Sequence, residues 1–450
     1  METQAPPDPA VSGPLLTLHP IHPGALAEKP PPGPAEPAAA PAAATPWSDR
    51  YALRTRGMTS SAIRDLLKFT ADPAVIPFAG GLPAPEVFPI AEIEAAAQRV
   101  LAEQGAQALQ YGATEGYLPL RELLVRHMGR YGIEVTPANV VVTTGSQQAL
   151  DLIGKLFINS GDRILTEEPT YVGALQAFTA YQGQYLTVPI DDQGLCLDRL
   201  EEALRGGPKF LYVLPNFQNP AGVTLALARR HRLVELASHY GAPIVEDDPY
   251  GQLRYEGDHL PPLVKIDAEY HGAGNGRPFT GGVIYLGTMS KTLAPGLRIG
   301  WVVAPEEVAA RLAQMKQGAD LHTSTFCQMV AYETARGGFL DAHVRRIRTV
   351  YCERRNAMLA ALERHCPPGV RWTRPQGGLF LWVTLPPAID SAELLTAALK
   401  EKVAFVPGHS FHPLGGGANT LRLNFSYCPP EVIEEGIRRL GRVLARRLSG

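Results

Sequence analysis

The sequence has few cysteines, almost no net charge and no long apolar run, and each shortage excludes a class of protein. Its five cysteines are scattered without a Cys-x-x-Cys pair, which argues against a disulfide framework or a metal site and favours a reducing cytoplasm. The net charge of -2 gives nucleic-acid binding no electrostatic support. Because no apolar run reaches the ~18 residues of a membrane span, we expect no membrane segment.

The composition of the chain is that of a soluble globular protein with more than one core. It has 450 residues, 45% of them hydrophobic and 19% charged, so two domains are expected. The first 47 residues differ because they are rich in proline, with an alanine-rich patch at 38–44, and proline at this density cannot hold helix or sheet hydrogen bonds. They lack the basic start and continuous apolar segment of a signal peptide. We therefore expect residues 1–47 to form a disordered tail.

Strand-like and helical runs alternate between about residues 139 and 305. This alternation predicts a largely parallel sheet covered by helices. The last hundred residues change to a mixture that indicates a separate α+β domain, completed by the segment around 50–110. The predicted strands are 140–142, 163–165, 210–214, 244–245, 283–286, 300–303, 379–383 and 421–425, and the predicted helices are 63–67, 147–157, 228–239, 342–364 and 430–448.

Lys291 follows an apolar, β-prone run at 282–286, in a loop of small hydroxyl residues that includes Thr288 and Ser290. Burial lowers the pKa of a lysine from ~10.4 and exposes a nucleophilic amine. An enzyme needs such an amine to form a Schiff base with an aldehyde cofactor. The alternative interpretation is a surface lysine at the end of a strand.

An anion site is predicted where Gly145, Ser146 and Gln147 open a helix after the strand at 140–142. Free backbone N–H groups and the helix dipole attract anions at such an end, and we expect a phosphate there. The alternative is an ordinary serine cap. Tyr171 also follows a strand, where it either stacks on a flat ring or packs in the core.

Further polar residues follow the next strands. Asp247 ends a buried strand, where a carboxylate is costly unless paired, and a protonated pyridine nitrogen is a suitable partner. Tyr250, three residues on, and Asn219, held extended before a proline, could reach a phenolic oxygen of the same ring. Ordinary strand-end turns are the alternative. Arg298 could fork onto a phosphate and Arg422 onto a carboxylate, unless both lie at the surface.

The order of these residues resembles that of the class I and II aminotransferases of fold type I, which depend on pyridoxal 5'-phosphate. The resemblance covers residues 50–448. Segments 78–86, 108–117 and 316–323 resemble the α-aminoadipate and kynurenine aminotransferase branch, especially bacterial enzymes of lysine biosynthesis. The matching positions are Tyr111, Gly145, Ser146, Gln147, Tyr171, Asn219, Asp247, Tyr250, Ser290, Lys291, Arg298 and Arg422.

The resemblance implies a fold and a domain division. The fold is α/β, with a mostly parallel seven-stranded sheet in a large domain and a smaller α+β domain. Residues 48–110 would form an N-terminal arm and a substrate-covering helix, 111–335 the large cofactor-binding domain, and 336–450 the small domain. Tyr111 would reach the phosphate of a neighbouring subunit, which implies a homodimer with shared sites.

The resemblance also implies a role for each residue. Lys291, Asp247 and Tyr250 would be catalytic, with Lys291 bonded to the cofactor and Asp247 paired with the ring nitrogen. Asn219 and Tyr250 would bind the ring oxygen, and Tyr171 would stack on the ring. The phosphate would be held by Gly145, Ser146, Gln147, Thr288, Ser290 and Arg298. On the substrate side, Arg422 would bind the α-carboxylate, with Gly81 and Asn219 beside it.

We therefore expect an aminotransferase that moves an amino group between an L-amino acid and a 2-oxo acid such as 2-oxoglutarate. In the enzymes it resembles, the arginine at the position of Arg64 meets the distal carboxylate of 2-aminoadipate or glutamate. We expect that a mobile helix turns this arginine outward and admits leucine or aromatic substrates, and the alternative is that Arg64 is only a surface charge on an amphipathic helix. One alternative is a β- or γ-replacement, decarboxylation or oxidation on the same cofactor. A remote alternative is an effector-sensing regulatory domain, although the segment before residue 47 is proline-rich and not basic.

Overall fold

The computed structural model describes residues 47–58, 72–273 and 279–449 of the chain. It divides into two compact units, Met1–Tyr51 and Ala52–Gly450, and the described strands and α-helices all belong to the second. The predicted tail falls almost wholly outside the described residues. The predicted helix at 63–67, which carries Arg64, also lies outside them.

The elements of the described residues are numbered in chain order. The strands are β1 (Ile76–Pro77), β2 (Val140–Thr144), β3 (Arg163–Glu168), β4 (Gln184–Asp191), β5 (Gly194–Leu195), β6 (Leu211–Val213), β7 (Ile244–Asp247), β8 (Val283–Thr288), β9 (Ile299–Val303), β10 (Arg371–Trp372), β11 (Phe380–Thr384), β12 (Val403–Ala404), β13 (Val406–Pro407) and β14 (Thr420–Asn424). The helices are α1 (Ile90–Ala108), α2 (Leu118–Gly129), α3 (Ser146–Phe157), α4 (Val172–Thr179), α5 (Leu197–Arg205), α6 (Leu227–His239), α7 (Leu263–Tyr270), α8 (Glu306–Gln317), α9 (Thr325–Ala335), α10 (Phe339–His365), α11 (Ser391–Lys400) and α12 (Pro430–Ser449).

The large sheet has eight strands in the order β2-β9-β8-β7-β6-β3-β4-β5. Strands β8, β7, β6, β3 and β4 run parallel, whereas β9 is antiparallel to both its neighbours. The predicted α/β class with a mostly parallel sheet is confirmed. The eighth strand is the two-residue β5, antiparallel to β4, which the seven-stranded expectation did not include.

Strand β4 was not predicted because its residues do not form the apolar run of a buried strand. Of its eight residues only Val188 is fully buried, and Pro189 interrupts it near the edge of the sheet. The central strands behave differently, because helices cover both of their faces. On β8, for example, Val283 and Tyr285 join one core and the alternating Ile284 and Leu286 join the other.

A separate core, distinct from the two on the faces of the large sheet, surrounds the four-stranded antiparallel sheet β10-β11-β14-β13. Met358 of α10 and Ile437 of α12 pack there against Leu381 and Leu423 of the sheet. The chain before α1 also reaches this region, because Ile76 of β1 pairs with Val403 of β12. The domain limits expected from the sequence stay a prediction. None of the helices within the described ranges has both the length and the apolar character needed to cross a membrane.

Candidate active site

The carboxyl ends of the parallel strands open onto one cavity of about 420 Å³. Asp247 is the last residue of β7, and Lys291 follows β8 by three residues. Since parallel strands present these ends at the same sheet edge, residues distant in sequence meet there. The cavity is lined by twelve predicted site residues: Gly81, Ser146, Gln147, Tyr171, Asn219, Asp247, Tyr250, Thr288, Ser290, Lys291, Arg298 and Arg422.

Two of the described residues that were predicted for the site do not line this cavity. Gly145 lies directly behind it, at the junction of β2 and α3. Tyr111 lies away from it, with 78% of its surface exposed and its ring edge-on to His322 at 5.7 Å. Arg64 is outside the described residues. The cavity also contains residues that sequence reasoning missed, among them the apolar side chain of Phe380.

The amine of Lys291 is held inside the cavity by the backbone. Its Nζ donates a hydrogen bond of 2.7 Å to the carbonyl oxygen of Gly81. Burial, and then the positive charges of Arg422 and Arg298, lower the pKa of Lys291 to about 8. At pH 7 roughly a tenth of this amine is therefore neutral and nucleophilic, far more than for an ordinary lysine.

The start of α3 is built to receive an anion. Gly145 has a φ of 76°, which favours glycine, and a Cβ at this position would push the guanidinium of Arg298 aside. No side chain caps α3, which leaves backbone N–H groups free at its start. Beside them Ser146 Oγ is buried and has no hydrogen-bond partner among the described residues.

Three other predicted phosphate ligands have partners within the protein. The side-chain amide of Gln147 donates to the carbonyl oxygen of Gly173 at 2.8 Å, which ties α3 to α4. The hydroxyl of Thr288 lies 3.0 Å from that of Ser290 and 3.1 Å from the carbonyl oxygen of Ile299. Hence Gln147 offers an anion its backbone N–H, because its amide is already engaged.

Asp247 is 2% exposed, and only one of its two carboxylate oxygens has a hydrogen-bond partner among the described residues. Its Oδ2 accepts a 2.7 Å hydrogen bond from the hydroxyl of Tyr212, whereas Oδ1 has no partner in the described structure. Burial raises the pKa of Asp247 to about 7, although the bond from Tyr212 opposes the rise. A cationic N–H donor placed at Oδ1 would satisfy the carboxylate. Sequence reasoning missed Tyr212, which sits inside an apolar strand where a core role is the default interpretation.

Asn219, Tyr250 and Tyr171 lie around the middle of the cavity. Asn219 is 3% exposed, and it lines the cavity together with Tyr250. Tyr250 packs edge-on against Phe380 at 5.9 Å, and burial raises the pKa of its hydroxyl, so it stays protonated. Tyr171 caps the start of α4 and presents its ring to the cavity.

Arg422 projects from β14 of the four-stranded sheet into the same cavity. Its Nη1 donates to Asn219 Oδ1 at 2.8 Å and its Nη2 to the carbonyl oxygen of Ala79 at 2.7 Å. Its guanidinium carbon lies 4.1 Å from the ring centre of Phe380 and 5.1 Å from that of Phe411. Burial lowers the pKa of Arg422 to about 10, so the group remains a cation at neutral pH.

The residues present fit pyridoxal phosphate. Lys291, Arg298 and Arg422 give the cavity three cations against the single carboxylate of Asp247. The unpartnered Ser146 Oγ suits a phosphate oxygen, and the unpartnered Asp247 Oδ1 suits a protonated ring nitrogen. Within the described residues no group of His, Cys, Asp and Glu side chains could hold a metal ion.

Comparison with known proteins gives one consistent family. Residues 80–440 match the family described as aminotransferase class I and II. The chain is 47% identical to the aromatic-amino-acid aminotransferase 1 of Thermococcus litoralis, over 89% of this chain and 95% of that protein. It is 47% identical to the 2-aminoadipate transaminase of Thermus thermophilus, over 90% of this chain and 98% of that protein.

A solved structure extends the likeness to three dimensions. It is the α-aminoadipate aminotransferase of Thermus thermophilus in complex with N-(5'-phosphopyridoxyl)-L-leucine. The two chains are 46% identical and superpose with a TM-score of 0.83, which covers 90% of this chain and 99% of the other.

Proposed function

This chain belongs to the class I and II aminotransferases, and we propose that the cavity around Lys291 is its active site. The protein is a pyridoxal phosphate-dependent enzyme that transfers an amino group between an amino acid and a 2-oxo acid. One observation carries the proposed site: the amine of Lys291, the carboxylate of Asp247 and the guanidinium of Arg422 converge in one cavity, the first two from the ends of β8 and β7 and the third from the middle of β14.

The proposed cofactor contacts follow from the groups that are free. The phosphate would be held by Ser146 Oγ, the first N–H groups of α3 and the guanidinium of Arg298, with Thr288 and Ser290 beside them. Asp247 Oδ1 receives the ring N–H. Asn219 and Tyr250 donate to the ring oxygen, and Tyr171 stacks on the ring.

When bound, pyridoxal phosphate supplies an aldehyde that accepts the amino group and a protonated ring that takes up electrons. Asp247 keeps the ring nitrogen protonated, because a buried carboxylate stabilises a cation beside it. Arg422 binds the α-carboxylate of the substrate, with its guanidinium already oriented by Asn219 and Ala79. Lys291 would take the proton from the substrate Cα through its neutral amine and hold it for transfer to a different carbon within the site.

The proposed substrates are acidic amino acids together with leucine or aromatic ones. Similarity to a 2-aminoadipate transaminase and to an aromatic-amino-acid aminotransferase supports both classes. We assign the recognition of a distal carboxylate in 2-aminoadipate or glutamate to Arg64. The acceptor we propose is 2-oxoglutarate.

A donor and acceptor panel on the purified, cofactor-loaded protein tests this function. With 2-aminoadipate, leucine or phenylalanine as donor and 2-oxoglutarate as acceptor, we expect glutamate and the matching 2-oxo acid in equal amounts. The Lys291→Ala variant should form neither at a measurable rate. Release of carbon dioxide, or consumption of the donor without glutamate formation, would instead favour the non-transaminase alternatives.

We also propose that the enzyme is a cytoplasmic homodimer. Tyr111 is exposed together with neighbouring apolar side chains, Leu109 at 76% and Leu118 at 51%, so a second subunit has a surface to cover. Tyr111 would then reach the phosphate of the partner's site. All five cysteines are free thiols, which favours a reducing compartment. Sedimentation of the purified protein tests the dimer, since a monomer would leave Tyr111 without this role.

A further inference from the structure

An ion pair whose lysine is buried lies behind the start of α3, outside the cavity. Lys316, in the last turn of α8, has a fully buried side chain. Its ammonium donates to both carboxylate oxygens of Asp320, at 2.6 and 2.8 Å, and to Gln148 Oε1 at 2.9 Å. All three ammonium donors are therefore satisfied. The side chain of Asp320 is 26% exposed, and a partly solvated ion pair adds little net stability, so the position of this pair is more informative than its strength.

The acceptors of this ammonium in turn hold Thr144, the last residue of β2. The backbone N–H of Thr144 donates to Gln148 Oε1 at 2.7 Å. Its hydroxyl donates to Asp320 Oδ2 at 2.9 Å. On its other side, the carbonyl oxygen of Thr144 accepts from Arg298 Nη2 at 3.4 Å. Every polar group of Thr144 is thus engaged, two of them by partners of Lys316.

Thr144 immediately precedes the residues that present the anion site. Gly145 follows with its positive φ, and Ser146 begins α3. This turn packs so closely on Gly300 of β9 that a Cβ there would strike the backbone of Gly145 and Ser146. The turn therefore lies between β9 on one side and the side chains of Gln148 and Asp320 on the other.

We propose that Lys316, Asp320 and Gln148 are positioning residues that hold the Thr144–Ser146 turn in the geometry that binds phosphate. The inference rests on the proposed function, because it concerns the phosphate end of the same cofactor site. None of the three lines the cavity, so they act through Thr144. If Lys316 is removed, Gln148 and Asp320 lose their shared donor, and the turn can move away from its binding position.

Apoprotein titrated with pyridoxal phosphate and, separately, with pyridoxal tests this inference. Pyridoxal has the same aldehyde and ring but no phosphate, so the ratio of the two dissociation constants isolates the phosphate contribution. In Lys316→Met, which keeps the length of the side chain, we expect the constant for pyridoxal phosphate to rise about tenfold or more. The constant for pyridoxal should stay within about twofold.

A matched control is Lys265→Met. Lys265 also pairs with an acid one helical turn away, Glu269 at 2.8 Å, but it lies on α7 and does not contact Thr144. In Lys265→Met the dissociation constants for pyridoxal phosphate and for pyridoxal should both equal those of the wild type. A proportional rise of the two constants in Lys316→Met would mean that the pair only stabilises the fold, and unchanged constants would overturn the inference as well.

Two further variants keep the test decisive if Lys316→Met does not fold. Asp320→Asn removes the charge with little change in shape, and Thr144→Val removes only the hydroxyl. Each should weaken pyridoxal phosphate more than pyridoxal, and inorganic phosphate should compete less well than in the wild type. If the wild-type protein takes up no pyridoxal phosphate, the proposed function itself is refuted. If the wild type binds pyridoxal phosphate and the variants bind it equally well, only this inference is refuted.

Discussion

The hydroxyl of Tyr212 donates a 2.7 Å hydrogen bond to Asp247 Oδ2, and both side chains are buried. The bond holds the carboxylate from one side, so that Oδ1 alone faces a ligand. It also opposes the effect of burial on the pKa of Asp247, which burial raises to about 7. Tyr212 therefore favours the charged form of the carboxylate that we pair with the ring nitrogen.

We expect Tyr212→Phe to lower kcat by about tenfold, because a hydrogen bond to a charged group is worth roughly 1.5–3 kcal/mol. Steady-state kinetics with a saturating donor measures this. Tyr285→Phe is the matched control, because the hydroxyl of Tyr285 donates to Asp248, at 3.1 Å, and Asp248 does not line the cavity. Equal losses in the two variants would contradict a specific role for Tyr212.

The uptake of pyridoxal phosphate by the apoprotein should depend on pH through Lys291. The neutral amine is the nucleophile, and burial and two arginines lower the pKa of Lys291 to about 8. The uptake rate should therefore rise with pH and level off above about 8. Stopped-flow absorbance from pH 6 to 10 measures it. A rate that still climbs at pH 10 would indicate an ordinary lysine pKa.

The stability of the apoprotein should fall as the pH rises from 5 to 8, in part because of Glu167. This residue is 1% exposed, and burial raises its pKa to about 8, against two hydrogen bonds that lower it. A group whose folded pKa is raised stabilises the fold below its unfolded pKa and loses that contribution as pH rises through the folded value. Between pH 5 and 8 the free energy of unfolding should therefore decline less in Glu167→Gln than in the wild type. We expect the two declines to differ by at least about 1 kcal/mol.

Denaturant unfolding at pH 5 and pH 8.5 checks the Glu167 prediction. The exposed Glu202 supplies a control, since Glu202→Gln should leave the difference between the two pH values as in the wild type. If Glu167→Gln shows the full wild-type decline, other buried acids such as Glu246, whose pKa burial also raises to about 8, carry the effect.

Arg64 and Arg422 should separate two parts of substrate recognition. Arg64→Ala should raise KM for glutamate and 2-aminoadipate by about tenfold or more while KM for leucine changes little, because only the acidic substrates have a distal carboxylate. Arg422→Lys should weaken all donors, since a lysine cannot reproduce the planar fork. Equal effects of Arg64→Ala on every donor would remove Arg64 from the pocket.

The sequence by itself determined which polar residues follow which strands along the chain. A strand followed by a polar loop is a local pattern, and parallel strands place such loops at one edge, so Ser146, Asn219, Asp247 and Lys291 could be predicted to meet. The central strands could be predicted from the sequence, because helices on both faces leave continuous apolar runs. Strand β4 was missed, since its half-buried residues carry no such run.

Only the tertiary structure decided which side chains support the site. Tyr212 and Asp247 are 35 residues apart, and Thr144 and Asp320 are 176 apart, so their contacts depend on strand order and helix packing rather than on local sequence. A tyrosine within an apolar strand and a lysine near a helix end look like ordinary core and surface residues. Burial gives them their partners, because a polar group removed from water must find a hydrogen bond inside the protein.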